Sequence, residues 1–280
     1  MPSKKRYPVQ RKMSIKQPAP LSSTLGLQVD QYLGQVNHRL YRQSRVYECK
    51  VSIDANVADG TTVDVYALAD TWYLTGALKL AKSVWDQAVK DEMEANDGRV
   101  ARWSDFKVRT GISFAADGFA TQYTAGALNE ERFTSGEFYD TIVSDASGVA
   151  HNFTLGAGTA SQYSIFEEYD RQSGTSSDPT SVGTGPYGGL LPNLSAVNSA
   201  SITDDGNLPP YDNTGYGDAI WVKVGVLHLA TGRQRLSTGF FPAPLGKIIL
   251  SGVGSLTDAD IEVEVKSGDY KGVHAPSMLE

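Results

Sequence analysis

Two acidic doublets, Glu167-Glu168 and Asp204-Asp205, are the first residues to weigh for chemistry. Paired carboxylates on either side of one bond can serve as acid and base in glycoside hydrolysis. Adjacent residues of a strand point to opposite faces, so neither doublet can flank a bond by itself, and solvated surface is the preferred reading. The stretch DDGNLPPYDNTGYGD adds Asp212, Asn213 and Asp218 to Asp204 and Asp205. These are hard oxygen donors of the kind Ca2+ takes, but their spacing is not that of a helix–loop–helix calcium site. They are read first as turn formers, with Ca2+ at a subunit contact as the alternative. GTGPYGGL and GAGTAS are glycine-rich, yet neither ends in Gly-Lys-Ser/Thr or sits between a strand and a helix, so neither is a phosphate cradle. Cys49 is the single cysteine, which excludes an internal disulfide and a cysteine metal cluster. His38, His151, His228 and His274 match no ligand spacing. No catalytic set emerges; neither an enzyme nor a bound cofactor is expected.

Cations are another matter. The first twenty residues, MPSKKRYPVQRKMSIKQPAP, hold Lys4, Lys5, Arg6, Arg11, Lys12 and Lys16, four prolines and no acid. Residues 1–50 carry ten basic and two acidic side chains, a net +8, whereas the remaining 230 carry 15 and 30, a net −15. Such segregation points to a leader with its own partner. A flexible cationic segment gains affinity for nucleic acid by releasing condensed counterions, and Tyr7 adds a surface for stacking on unpaired bases. The six basic residues are therefore the candidate nucleic-acid-binding set. The cluster KKRYPVQRK would also serve a nuclear-import receptor.

The elements that position these groups are mostly strands. Residues 1–25 alternate charge with proline, bury little apolar surface and are expected to be disordered. Over 27–45, Tyr32, Val36 and Leu40 could line a short helix, weakened by Gly34. In RVYECKVSIDA, Tyr47, Cys49, Val51 and Ile53 alternate with polar residues, giving a half-buried strand in which Cys49 is an inert thiol. TTVDVYALA (61–69) reads as a second strand or the approach to a helix. One helix is expected over about 74–95, where Leu74, Leu78, Ala81, Trp85, Ala88 or Val89, and Met93 step by three and four. Thr75 is its candidate cap, and Asn96-Asp97-Gly98 its end. Short strands follow in RWSDFKVRTGISF, FATQYTAG, GEFYDTIVSD, VAHNFTLGAG and SQYSIFEEYD, then long loops over about 172–218. AIWVKVGVLHLATG, RQRLSTGFF, GKIILSGVG and DIEVEVKSG close the chain as strands. Ile220, Val222, Val224 and Val226 make both faces of the first of these partly apolar, which suits a sandwich interior.

The expected fold is all-β: a single jelly-roll antiparallel sandwich over 26–280 with one embedded helix and a basic N-terminal arm over 1–25. No apolar run is long enough to span a membrane, and no secretory segment follows the first charges.

Two stretches, KLAKSVWDQAVKDEMEANDGRVARWSDFKV (79–108) and ATGRQRLSTGFFPAPLGKIIL (230–250), resemble capsid proteins of small circular Rep-encoding single-stranded DNA viruses. The resemblance implies a shell subunit that self-assembles, in sixty or more copies, into an icosahedral virion. Its arm would lie inside against a single-stranded genome and its acidic loops outside, toward a host receptor. Virion and, during assembly, host nucleus are the implied locations. Removal of residues 1–20 is expected to spare the fold and abolish packaging. A carbohydrate-binding or adhesin-like sandwich, with Tyr187, Tyr211 and Tyr216 stacking on sugars, is the alternative, and a hydrolase on a β scaffold is a third reading.

Overall fold

The computed structural model describes residues 9–17, 24–57, 61–95, 98, 103–110, 141–144, 148–173, 220–253 and 256–280. The chain first forms β1 (Lys12–Gln17), β2 (Thr24–Gln28), α1 (Val29–Asn37), β3 (Val46–Val57), β4 (Thr61–Leu68) and α2 (Trp72–Ala95). Then come β5 (Ile142–Ser144), β6 (Ala150–Thr154), β7 (Gln162–Ser164) and α3 (Ile165–Ser173). The last elements are β8 (Trp221–Leu229), β9 (Gly232–Ser237), β10 (Phe241–Pro244), β11 (Lys247–Ser251) and β12 (Thr257–Val265).

Two antiparallel sheets enclose the main core. One is ordered β1-β12-β3-β10, with β9 pairing the far end of β3; the other is ordered β2-β11-β4-β8. The alternation legible in the sequence sets the inner face of the first sheet. Tyr47, Cys49, Val51, Ile53 and Ala55 of β3 are fully buried, as are Ile261, Val263 and Val265 of β12. Leu25, Leu27, Val63, Val65, Ile248 and Leu250 close the same core from the second sheet. Each large aliphatic buried there contributes roughly 1.5–3 kcal/mol. As expected, Cys49 is a buried free thiol, and burial pushes its pKa up.

The second sheet is covered on its other face too. Ile249 lies between two residues of the first core, yet it is buried with Leu68, Leu74, Leu78, Phe106, Phe153 and Phe166 in a second cluster. That cluster joins α2, α3 and a small third sheet, in which β5 pairs β6 antiparallel and β6 pairs β7 parallel. Tyr73 of α2 stacks on Phe166 of α3 at 5.0 Å between ring centroids. Burial on both faces explains why KIILS shows no polar alternation.

Several expectations need correction. Residues 12–17 are not a disordered arm: β1 pairs β12 from Lys12↔Glu264 to Gln17↔Ala259, and β2 pairs β11. Lys12, Met13 and Ser14 alternate charged, apolar and polar, and Met13 is buried, so a short period-2 signal sits inside the basic segment. Three helices, not one, stand among the described residues. SQYSIFEEYD turns from strand to helix after Ser164, so Glu167 and Glu168 belong to α3. The described residues 103–110 form only an isolated bridge, Arg109 to Thr154. The cap of α2 is Thr71, whose Oγ1 accepts the Leu74 N–H at 3.3 Å, rather than Thr75. Gly98 (φ +78°) donates to the Met93 carbonyl at 2.8 Å beyond the helix end.

Among the described residues β8 stands at the edge of its sheet rather than inside it, with Val222 46% and Val226 39% exposed. Its register against β4 slips between Val65 and Tyr66, so Gly225 faces Val65 and Lys223 faces Tyr66. The extra residue reverses the facing of the strand. Leu227 and Leu229 therefore enter the first core, while Trp221, also odd-numbered, enters the second.

Gly252 has φ +88°, and a Cβ there would lie 2.4 Å from the Thr62 carbonyl oxygen. Positive φ and a backbone clash act together, so Gly252→Ala is expected to cost about 3 kcal/mol or more. A urea midpoint giving less than about 1 kcal/mol would contradict this close approach.

Candidate nucleic-acid interface

The six leader cations divide between two settings. Lys4, Lys5 and Arg6, with Tyr7, lie outside the described residues. Arg11, Lys12 and Lys16 are tied to the body. The backbone N–H of Val265 donates to the Arg11 carbonyl at 2.9 Å, and the Arg11 guanidinium donates to the Val265 carbonyl at 3.2 Å. Lys12 Nζ lies 3.4 Å from Glu264 and 3.6 Å from Glu262. Lys16 takes the register position opposite Asp260.

Lys12 belongs to a charge network on the outer face of the first sheet. Glu264 also meets Lys50 of β3 at 4.0 Å, and Glu262 accepts from Arg235 of β9 at 2.8 Å. Exposed pairs of this kind contribute about 0.2–1 kcal/mol each. They hold β1 in register, so the fold itself employs part of the charge assigned to nucleic acid.

The leader reaches the body beside the end of α1. Gln10 donates its N–H to Asn37 Oδ1 at 2.8 Å, and Asn37 Nδ2 donates back to the Gln10 carbonyl at 2.9 Å. Val9 packs where a side chain on Gly272 would stand, 2.7 Å from that Cβ position. Everything before Val9 starts from this point.

A buried polar cluster, with no signal in the sequence, sits under α1. Asp30, Lys107 and Lys247 are each at most 4% exposed. Lys107 Nζ lies 3.5 Å from Asp30 Oδ2, and Lys247 Nζ donates to Thr110 Oγ1 at 3.0 Å. Burial raises the Asp30 pKa, against the pull of Lys107 and Lys247. Gln43 fastens the same segment, accepting the Val108 N–H at 2.6 Å through Oε1. These contacts bind α1, residues 105–110 and β11 together. Partners 65 and more positions apart leave no local spacing to find.

Asp105, at the edge of this cluster, accepts the Gln43 N–H at 3.2 Å. Burial raises its pKa to about 6, opposed by Lys107 and the Gln43 hydrogen bond. Its native form therefore holds a proton more tightly than the unfolded form. The stability it contributes is full below about pH 4 and is lost as pH rises to about 6. Asp105→Asn keeps the acceptor and removes the titration. It should flatten the denaturation midpoint between pH 4 and 6.5 and raise stability at pH 7 by on the order of 1–3 kcal/mol. An unaltered pH profile in the variant would contradict this assignment.

The other sequence candidates are scattered. Glu167 Oε1 accepts the Gly158 N–H at 2.9 Å, a turn contact. His151 stacks on Tyr163 at 4.5 Å, and His228 is exposed on β8. His274 meets Glu48 at 3.7 Å, and His38 ends α1 with φ 51°. Asp204, Asp205, Asp212, Asn213, Asp218, Tyr187, Tyr211 and Tyr216 lie outside the described residues. Among the described residues no three His, Cys, Asp or Glu side chains are grouped to hold a metal ion, and no helix is long and apolar enough to cross a membrane.

The chain is thus a β-rich protein of two facing antiparallel sheets with a helical layer on one of them. No protein-family model, curated protein or solved structure matches it.

Proposed function

We propose that this chain is the coat subunit of a small icosahedral virion, assembling with copies of itself and holding single-stranded nucleic acid through its basic leader. One observation carries the reading: strand pairing in the order β1-β12-β3-β9 against β2-β11-β4-β8, with the cationic leader entering at the first strand. The chain then crosses between the sheets as four ribbons, β1–β2, β3–β4, β8–β9 and β11–β12, laid side by side with the last between the first two. That order supports a jelly roll. Jelly rolls also serve lectins and cupins, so the fold alone does not choose the function. The leader and the capsid resemblance of 79–108 and 230–250 favour the coat subunit.

Exposed apolar groups support self-contact. Trp72 is 69% exposed, Trp103 57% and Ile142 60%. The apolar stripe of α2 is buried at Leu74, Ala77, Leu78 and Ala81, while Val84 beyond it is 47% exposed. Groups of this kind are candidates for burial against a second copy.

The deletion that tests the leader must stop before Val9, because residues 12–17 are a strand of the body. Purified full-length chain is expected to elute as megadalton particles carrying nucleic acid. A chain lacking residues 1–8 should still form particles, with the ratio of absorbance at 260 to 280 nm falling to that of protein. Elution of the full-length chain as a monomer or small oligomer would reject the coat reading. Unchanged nucleic-acid content in the shortened chain would reject the role of the leader.

A further inference from the structure

Lys4, Lys5 and Arg6 are the only basic residues before Val9. On about sixty copies they supply roughly 180 positive charges, few against one negative charge per nucleotide. Where the leader joins the body, a second set of cations is already assembled. It comes from the connection between α1 and β3, HRLYRQSR (38–45), and from the turn after β12 that holds Tyr270 and Lys271. Arg39, Arg42 and Arg45 recur every third residue, and Lys271 comes from the far end of the chain.

The geometry around two tyrosines is closely tied. The Tyr41 and Tyr270 rings meet edge to face, 6.0 Å between centroids and 84° between planes. The Arg45 guanidinium carbon lies 3.6 Å above the Tyr270 ring centroid, and Arg45 donates to the Ala275 carbonyl at 2.7 Å. Lys271 Nζ stands 5.4 Å from the Tyr270 centroid and 5.9 Å from that of Tyr41, and it donates to the Leu40 carbonyl. The Tyr270 hydroxyl accepts the Arg42 N–H at 3.1 Å, and the Tyr41 hydroxyl donates to the Lys271 carbonyl at 3.1 Å. Arg42 and Lys271 are exposed at their outer ends. Burial, then the neighbouring Arg42 and Arg45 charges, hold the Lys271 ammonium below its ordinary pKa, with Asp105 acting the other way. Arg42 and Arg45 repel this ammonium and Asp105 attracts it, so an added anion would favour its charged form.

We infer that Arg39, Arg42, Arg45 and Lys271, with Tyr41 and Tyr270, form a body-borne site for the phosphates and bases of single-stranded nucleic acid, continuous with the leader that departs beside it. Guanidiniums and an ammonium take the phosphodiester oxygens, and a base would stack with the Arg45–Tyr270 pair, whose ring already carries the guanidinium, rather than on a bare ring. The Arg45 and Lys271 side chains are already pinned and lose little freedom on binding. The site deepens the nucleic-acid part of the proposed function and rests on it. A sulfated glycan would satisfy the cations alone. The aromatic pair and the adjoining leader favour nucleic acid.

The test titrates a fluorescein-labelled thirty-nucleotide oligothymidylate into the dispersed full-length chain and three variants, at 50 and 200 mM NaCl. Arg42→Gln/Lys271→Gln should bind about tenfold or more weakly at the lower salt. Its logarithmic salt dependence should be shallower by about 1.4, two contacts at about 0.7 each on a single strand. Arg42→Lys/Lys271→Arg should bind as the parent does, and removal of residues 1–8 should weaken binding independently. If the Gln pair binds like the parent while the deletion weakens binding, the body site is refuted and the leader reading stands. If neither change weakens binding, the nucleic-acid reading itself fails. Failure of the Lys/Arg swap to restore affinity, or competition by heparin oligosaccharide as strong per charge as by the oligonucleotide, would also overturn the site.

Discussion

Deletion of residues 1–17 is expected to abolish folding, whereas deletion of residues 1–8 should leave the thermal midpoint within a few degrees of the parent. The shorter cut ends before Val9, which packs at Gly272. The longer cut removes β1 and with it the six-residue ladder to β12. Met13 leaves the core, and the inner residues Ile261 and Val263 of β12 lose their neighbour on that side. Burial of Met13 alone stabilises by roughly 1.5–3 kcal/mol. The backbone ladder and the Lys12 ion pairs add to that, against a total stability of about 5–15 kcal/mol. The uncovered β12 would also become a bare edge open to intermolecular pairing. Soluble, cooperatively melting protein from the 1–17 deletion would show that β1 is dispensable. The original expectation, that residues 1–20 could be removed without harm to the fold, fails on the same ground. A packaging defect in such a chain would report unfolding and say nothing of nucleic acid.

The second large effect is placed in the buried cluster. Lys107→Met should destabilise the protein by about 3–5 kcal/mol, because Asp30 would keep its buried carboxylate without the ammonium 3.5 Å away. Lys247 would remain, but its Nζ is directed to Thr110. The double variant Asp30→Leu/Lys107→Met removes both members of the pair and should recover part of the loss, while Lys247 keeps its bond to Thr110 but loses the pull of Asp30. Denaturant midpoints of the two variants measure both values. A loss below about 1 kcal/mol in Lys107→Met, or no recovery in the double variant, would mean that the pair does not hold α1 and the 105–110 segment together.

Legibility in the sequence followed the range of the signal. Tyr47, Cys49, Val51 and Ile53 were read correctly as one buried face, and the helix expected over about 74–95 is α2, because both periods are local. The same kind of signal was present in Lys12, Met13 and Ser14, but charge and proline in the flanks outweighed three residues of alternation. Val222 and Val226 misled for a different reason. One extra residue in β8 reverses its facing, and only the register against β4 shows where it falls. SQYSIFEEYD reads as a strand although it continues as α3, because its period changes within ten residues.

The candidate site divides in the same way. The leader's charge was plain from composition, and Arg39, Arg42 and Arg45 were counted within the same +8 without being located. Their convergence with Lys271 needs the turn after β12 to fold back 226 to 232 positions along the chain. Unaided, the sequence determined that this protein is β-rich, that a helix stands over about 74–95, and that its positive charge gathers at the front. The tertiary structure alone decided that part of the cationic leader is a strand, that Asp30 is buried with two lysines, and which arginines stand beside the leader's root. Periodicity and composition are properties of neighbours along the chain. Pairing, register and the meeting of charges depend on which distant segments the core brings together.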